Sequence, residues 1–382
     1  MKKISFLIYS LGSGGAERIV SYLLKYFSQK YEIYLVLMND TIFYEIPENV
    51  KVFFLEKSKP YESGFKKFLK IPYLGLKYRN FLIRKKIDIS ISFMNRPNYI
   101  NIFSKLIRSN TRTIISERIT SLKEYSGYSF RNLLSKSLIK ILYRFSDYII
   151  PNSKGIANDL INYFSVNLEK VKVIYNFVVN DNIAKQINKR NDLKKKNFIF
   201  VNIGRLEPQK NHYLLLEAIH KLKSMDIKLI IIGEGPLKKY LKEQIKILKL
   251  EDKVELLGRQ KNPYKFLANA DCFVFSSKYE GFPNVILEAL ACGLPVISTD
   301  CRSGPREILA PDTDFRYETK DIEFAKYGAL VPVEDVEKMA EAMKIIYENK
   351  ELRDKYKQKA INRAKDFDVK KIIKQWEEII DG

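Results

Sequence analysis

ISFLIYSLGSGGAERIVSYLLKYFSQKYEIYLVLM, residues 4–38, decides the fold. Residues 4–9 are an apolar run of strand length that ends in the glycine cluster Gly12-Ser-Gly-Gly15. Over residues 15–27 the apolar positions Ala16, Ile19, Val20, Leu23, Leu24 and Phe27 recur at helical spacing, and residues 33–38 are apolar again. Strand, glycine loop, amphipathic helix and strand make a βαβ unit, whose strands run parallel. Further strand-like runs lie at 50–55, 87–93, 112–116 and 147–150. A second series begins at 198–203 and continues at 228–232, 254–257, 272–275 and 295–298, with helical segments such as 213–222 and 237–248 between them. Continuous apolar strands alternating with helices imply parallel sheets covered on both faces. The class is therefore α/β, with two doubly wound Rossmann-like domains facing a cleft. The first is expected over 1–180 and the second over 198–365. The polar, basic stretch 181–197 reads as a linker and 366–382 as a C-terminal helix carrying Trp376.

The 382 residues are 46% hydrophobic and 29% charged, enough apolar material for two cores and against a disordered chain. Cys272, Cys292 and Cys301 show no CxxC spacing, and the histidines are His212 and His220 alone. That pattern argues against a disulfide framework or a structural zinc site and for a reducing, cytosolic setting. No apolar run reaches the ~18 residues of a membrane span. Lys2-Lys3 and the apolar run to Leu11 imitate a signal peptide, but no cleavage-site pattern follows.

The net charge is +22, and residues 1–175 hold 29 basic against 13 acidic side chains. Such an excess favours anionic partners: nucleic acid, phosphorylated ligands or a membrane surface. Two helical candidates, 64–86 and 131–145, carry part of it. In the second, Leu133, Leu134, Leu138, Ile141, Leu142 and Phe145 share a face while Lys136, Lys140 and Arg144 lie elsewhere. The pattern fits a helix lying on an anionic membrane and equally a helix whose apolar face meets the core.

Four segments can carry chemistry. Gly12–Gly15 joins a strand to a helix N-terminus, where free N–H groups and partial positive charge suit a phosphate. Glu17 stands where a dinucleotide fold requires a small residue, so Asp40 is a poor candidate for the ribose-binding acid of an NAD site. Gly204-Arg205-Leu-Glu-Pro-Gln-Lys210-Asn211 follows the first strand of the second series, and its Arg and Lys suit two negative phosphates. Gly233-Glu-Gly-Pro236 either lines a nucleotide or makes a plain tight turn. In Ser276–Pro295 a strand ends in Gly281-Phe282-Pro283 and Asn284 opens a helix. Glu280 lies in the loop before that helix and Glu288 in its second turn. Two carboxylates so placed can grip hydroxyl-bearing groups of a sugar or ribose. The strings Asp312-Thr-Asp314 and Asp366-Phe-Asp368 read as surface turns rather than metal ligands.

The Glu280/Glu288 pair within EGFPNVILEALACGLPVIST, the GRLEPQKN loop and the GSGGAER start resemble family 4 of the glycosyltransferases. The resemblance implies a retaining enzyme of B-type fold, with an N-terminal acceptor domain and a C-terminal nucleotide-sugar donor domain. It implies that Arg205 and Lys210 hold the donor diphosphate and act with Glu280, which contacts the transferred sugar, while Glu288 binds ribose. Gly14, Gly15, Gly204, Gly233, Gly281, Phe282, Pro283, Asn284 and Val285 would complete the donor site. Glu17, Arg18, Asn95, Arg96, Glu117 and Arg118 are candidates on the acceptor side. LGSGGAERIV, LMNDTIFYEIPE, LEKSKPYE and MNRPNYI resemble family members that add N-acetylgalactosamine to an undecaprenyl-diphosphate-linked glycan. The implied partners are a UDP-sugar, a polyprenyl-diphosphate glycan acceptor and the anionic inner face of the cytoplasmic membrane, with no nucleic acid. No cofactor and no metal are expected, since Arg205, Lys210 and a helix N-terminus can stabilise the leaving diphosphate. Many members carry a histidine in the N-terminal domain where this chain has Ser116-Glu117-Arg118. The alternatives are a nucleotide-sugar epimerase, which the scarcity of histidines opposes, and a basic nucleic-acid-binding protein, for which no recognition motif is present.

Overall fold

Each of two units is built on its own parallel sheet in the computed structural model, which describes residues 1–57, 62, 64–119, 130–179, 183 and 197–382. One unit is Met1–Tyr175 together with Ile373–Gly382, and the other is Asn176–Ile372. The expected linker 181–197 lies almost wholly outside the described residues.

In the first unit the strands are β1 (Lys3–Ile8), β2 (Glu32–Leu37), β3 (Lys51–Phe54), β4 (Ile89–Phe93), β5 (Arg112–Glu117) and β6 (Tyr148–Pro151). They form one parallel sheet in the order β3-β2-β1-β4-β5-β6. This is the doubly wound arrangement, and its strand order reverses between β1 and β4. The central strands are apolar on both faces because helices cover both. β3 stands at the edge, where Lys51 is exposed and opposes pairing with another chain.

The helices are α1 (Gly15–Phe27), α2 (Gly64–Leu69), α3 (Ile71–Lys85), α4 (Asn95–Leu106), α5 (Phe130–Leu142) and α6 (Lys154–Asn162). In α1, five of the six expected apolar positions are buried, and Ala16 is half-buried. The single helix expected over 64–86 is two, because Pro72 has no N–H to continue a helix and sits instead in the first turn of α3. The face expected on 131–145 also divides. Of its members Leu138 and Leu142 pack at the core margin and Leu133, Ile141 and Phe145 are exposed, while Ile139 and Tyr143, not on the expected face, are fully buried. Leu134 lies outside the described side chains.

The second unit contains β7 (Phe198–Ile203), α7 (His212–Lys221), β8 (Ile227–Ile232), α8 (Lys238–Ile247), β9 (Val254–Gly258), α9 (Tyr264–Asn269) and β10 (Cys272–Phe275). It continues with α10 (Asn284–Ala291), β11 (Val296–Thr299), α11 (Pro305–Leu309), β12 (Glu323–Phe324), β13 (Ala329–Val331), α12 (Val336–Glu348) and α13 (Lys350–Asp366). The sheet order is β12-β13-β11-β10-β7-β8-β9, parallel except for the short β12. Its order reverses between β7 and β10, so the loops following those two strands meet at the place where doubly wound sheets bind ligands. The last helix, α14 (Val369–Asp381), starts in the second unit, and from Ile373 onward it belongs to the first. There Trp376, 1% exposed, packs on Phe93 with ring centroids 6.1 Å apart.

Candidate active site

The loops after β7 and β10 are laced together. Gln209 Nε2 donates to the Tyr279 carbonyl at 2.8 Å, the Lys278 amide to Gln209 at 2.8 Å, and Ser276 Oγ to the Lys210 carbonyl at 2.7 Å. This lacing sets Lys210 against Glu280 as an ion pair, with the ammonium 5.7 Å from the centre of the Phe275 ring. Arg205, by contrast, is an exposed cation whose ion-pair partner among the described residues is half-buried Glu207 at 3.2 Å. Glu288 lies in the second turn of α10, where the spacing placed it, and is buried. Burial and that carboxylate push the Cys292 thiol up to about 12. All three cysteines are buried free thiols.

The Gly281-Phe282-Pro283 turn leads into α10, and the Gly281 amide donates to no partner among the described residues. A group that sequence reasoning missed holds this turn in place. The Glu280 amide donates to the Arg302 carbonyl at 2.9 Å, Ser303 Oγ to Gly281 at 3.0 Å, and Asn176 Nδ2 to the Phe282 carbonyl at 2.7 Å. Gly304 has φ +101°, and a Cβ there would lie 2.7 Å from Pro283 Cδ. The available signal was Ser303-Gly304-Pro305 in the loop that follows β11, the neighbour of β10 in the sheet.

Packing explains two of the candidate glycines. The Gly204 amide is committed to the Ile232 carbonyl at 3.0 Å, so this residue offers a ligand close approach rather than a free donor. A Cβ on Gly233 would lie 1.9 Å from the Gly204 carbonyl oxygen. Gly233 thus lets the β8 loop pack beneath the β7 loop. Gly233→Ala is expected to cost about 1–3 kcal/mol, read as a lower melting temperature. An unchanged melting temperature would mean that the two loops part freely. Asp312 and Asp314 pair with Lys326 and Arg316 at 2.8 and 2.7 Å.

In the first unit, Glu17 is the third residue of α1 and Gly14 its N-cap. The Glu17 carboxylate folds back so far that a Cβ on Gly14 would lie 2.2 Å from it. Beyond β4 and β5, a buried polar chain crosses the sheet. Ser5, Tyr78, Ser90, Asn101, Ser92 and Asn98 are linked at 2.6–3.1 Å. Asn98 Nδ2 then donates to the Tyr143 hydroxyl at 3.2 Å, and that hydroxyl donates to Glu117 Oε2 at 2.6 Å, with Asn95 Oδ1 3.1 Å away. Glu117 is thereby fixed, and burial together with its charge raises the Tyr143 pKa well above the usual phenol range.

Arg118 follows Glu117 with its guanidinium 5.2 Å from the Phe93 ring and 5.8 Å from Trp376. Burial lowers its pKa to about 9, which leaves the cation intact at neutral pH. Arg96 pairs with Glu56 at 2.5 Å and donates to the Lys67 carbonyl. The Glu117–Arg118 pair gathers Asn95 and adds Tyr143, which sequence reasoning missed, while Arg96 is engaged with Glu56 and the Lys67 carbonyl.

Two family models cover most of the chain. Glycosyltransferase Family 4 matches residues 13–181, and Glycosyl transferases group 1 matches residues 184–363. The chain belongs to the family 4 glycosyltransferases, and the activity it shares with them is transfer of a hexosyl unit. It is 43% identical, over 98% of both chains, to the N-acetylgalactosamine-N,N'-diacetylbacillosaminyl-diphospho-undecaprenol 4-alpha-N-acetylgalactosaminyltransferase of Campylobacter jejuni. A second Campylobacter jejuni enzyme, an alpha-1,4-N-acetyl-D-galactosaminyltransferase acting on GalNAc-alpha-(1->4)-GalNAc-alpha-(1->3)-diNAcBac-PP-undecaprenol, is 28% identical over 100% of this chain and 98% of its own. Among solved structures, Anabaena HepE in complex with UDP and glucose matches end to end with a TM-score of 0.79 at 23% identity. Sucrose-phosphate synthase from Thermosynechococcus elongatus matches 100% of this chain and 98% of its own, with a TM-score of 0.82 at 16% identity. These likenesses place the two units in the B-type glycosyltransferase fold, and the family assignment sets aside the epimerase alternative.

Proposed function

We propose that this protein transfers a hexose or N-acetylhexosamine, best N-acetylgalactosamine, from a UDP-sugar to an undecaprenyl-diphosphate-linked glycan with retention at the anomeric carbon. The observation that carries the reading is the 43% identity, over 98% of both chains, to an enzyme whose name states that acceptor and that sugar. The geometry supports the donor half. Arg205 and Lys210 supply cations for a diphosphate whose charge grows as the sugar–phosphate bond breaks. Glu280, at the mouth of α10, lies where the transferred sugar would be held, and Glu288, one helical turn further in, suits the ribose. Fixed cations of this kind take the role a divalent metal plays elsewhere, so turnover is proposed to be metal-independent. On the acceptor side, Arg118 and the Glu117–Asn95–Tyr143 group supply a cation and hydrogen-bonding groups for a sugar diphosphate.

The surface of the first unit supports work at an anionic membrane. Leu69, Tyr73, Leu76 and Ile83 are exposed along α2 and α3 among Lys66, Lys67, Lys70, Lys77 and Arg84. α3 packs on α4, which also touches α5, where exposed Leu133 and Ile141 are followed by Phe145, with Lys140 and Arg144 beside them. Apolar side chains ringed by lysine and arginine gain from both acyl contact and anionic headgroups. No helix among the described residues is long and apolar enough to cross a membrane.

Nucleotide release from UDP-, GDP- and ADP-sugars, with and without a polyprenyl-diphosphate glycan and first in EDTA, tests the reading. Acceptor-dependent UDP release that survives EDTA is expected. Release that requires magnesium would overturn the metal-independent step, and release from a GDP- or ADP-sugar alone would overturn the donor.

A further inference from the structure

His212 is a buried polar group to which the reading above gives no task. It opens α7, two residues after Lys210, and is 1% exposed. Neither ring nitrogen has a hydrogen-bond partner among the described residues. Burial, reinforced by the Lys210 ammonium, lowers its pKa to about 3, so the ring is neutral and offers one donor and one acceptor. Its Nε2 edge faces Gly204. A Cβ built on that glycine would lie 3.5 Å from both Nε2 and Lys210 Cγ, in ordinary contact with each. The glycine therefore leaves a cradle one atom deep between the ring and the lysine stem. An oxygen seated there is at the edge of hydrogen-bonding reach of the imidazole and under the same lysine that the donor diphosphate would use.

Two further groups at this end of the sheet share the condition. Asn202 Oδ1, near the end of β7, and Ser277 Oγ, just beyond β10, are buried without partners among the described residues. Asn202 is held across the reversal point by its own Nδ2, which donates to the Val274 carbonyl at 2.8 Å. Buried polar atoms call for a partner, and His212, Asn202 and Ser277 all border the loops that follow β7 and β10.

We propose that His212 is a donor-phosphate-binding residue whose neutral ring donates from Nε2 to an oxygen of the nucleoside diphosphate seated over Gly204. This rests on the reading of the Gly204–Lys210 loop as the diphosphate site. Calorimetric titration of the full chain with UDP and with uridine, for the wild type, His212→Phe, His212→Gln and Arg205→Ala, tests it. His212→Phe, which keeps the ring volume without a donor, is expected to weaken UDP binding at least tenfold, leave uridine binding unchanged and not lower the melting temperature measured without ligand. His212→Gln, whose amide restores a donor, is expected to recover most of the UDP affinity. If His212→Phe binds UDP as the wild type does, or weakens UDP and uridine equally, the proposal falls. If Arg205→Ala also leaves UDP binding intact, the donor-site reading falls with it. Loss in Arg205→Ala alone removes only the role of His212.

Discussion

Arg205→Ala is expected to lower UDP-sugar turnover by two to three orders of magnitude while leaving the fold intact. The side chain is 61% exposed and its partner is half-buried Glu207 at 3.2 Å, a pairing worth at most about 1 kcal/mol of stability. Its value lies in the reaction. A fixed donor aimed at developing charge contributes roughly 3–4 kcal/mol, about 10²–10³ in rate, and that interaction strengthens as the diphosphate leaves. The loss should therefore fall more on kcat than on KM. Lys210→Ala should lose as much activity and also stability. Its side chain is 18% exposed and that of Glu280 11%, so the carboxylate would be left largely buried without its counter-ion. Steady-state kinetics beside a melting curve separates the two variants. Wild-type turnover in Arg205→Ala would remove Arg205 from the diphosphate site.

Trp376→Ala is expected to destabilise the first unit by about 3–5 kcal/mol, as deletion of a buried indole does. At about 2–4 °C per kcal/mol for a unit of this size, its melting temperature should fall by roughly 6–20 °C. The indole packs against Phe93, which stacks in turn on Phe6 of β1 at 6.0 Å, and it covers one side of the Arg118 guanidinium. The truncation thus opens a cavity and admits water beside a cation proposed for the acceptor. Trp376→Phe should keep most of the stability. Calorimetry showing the alanine variant melting with the wild type would mean that α14 contributes little to the first core.

Parallel strands covered on both faces are close to pure apolar runs, so β1, β2 and β7 were readable within one residue at each end. The site loops were readable because glycine and proline mark the turns after β7 and β10, and the spacing from Glu280 to Glu288 fixes one carboxylate before a helix and one within it. Contacts between segments distant in the chain left no local trace. Nothing near Glu117 in sequence announces Tyr143, and nothing near Glu280 announces Arg302 and Ser303, because adjacency of strands in a sheet brings them together. The apolar face of 131–145 divides because its apolar positions outnumber those one core can accept. Ile139 and Tyr143 took the core, and Leu133, Ile141 and Phe145 were left outside.

The sequence of the first unit is interrupted by the whole of the second, since Ile373–Gly382 rejoins Met1–Tyr175. A ribosome therefore delivers the β3-β2-β1-β4-β5-β6 sheet early but the indole that seals Phe93 and Arg118 only after the whole of the second unit. Until then the nascent protein carries an uncovered aromatic surface through the synthesis of nearly two hundred residues. The second unit, Asn176–Ile372, needs none of those later residues for its own core.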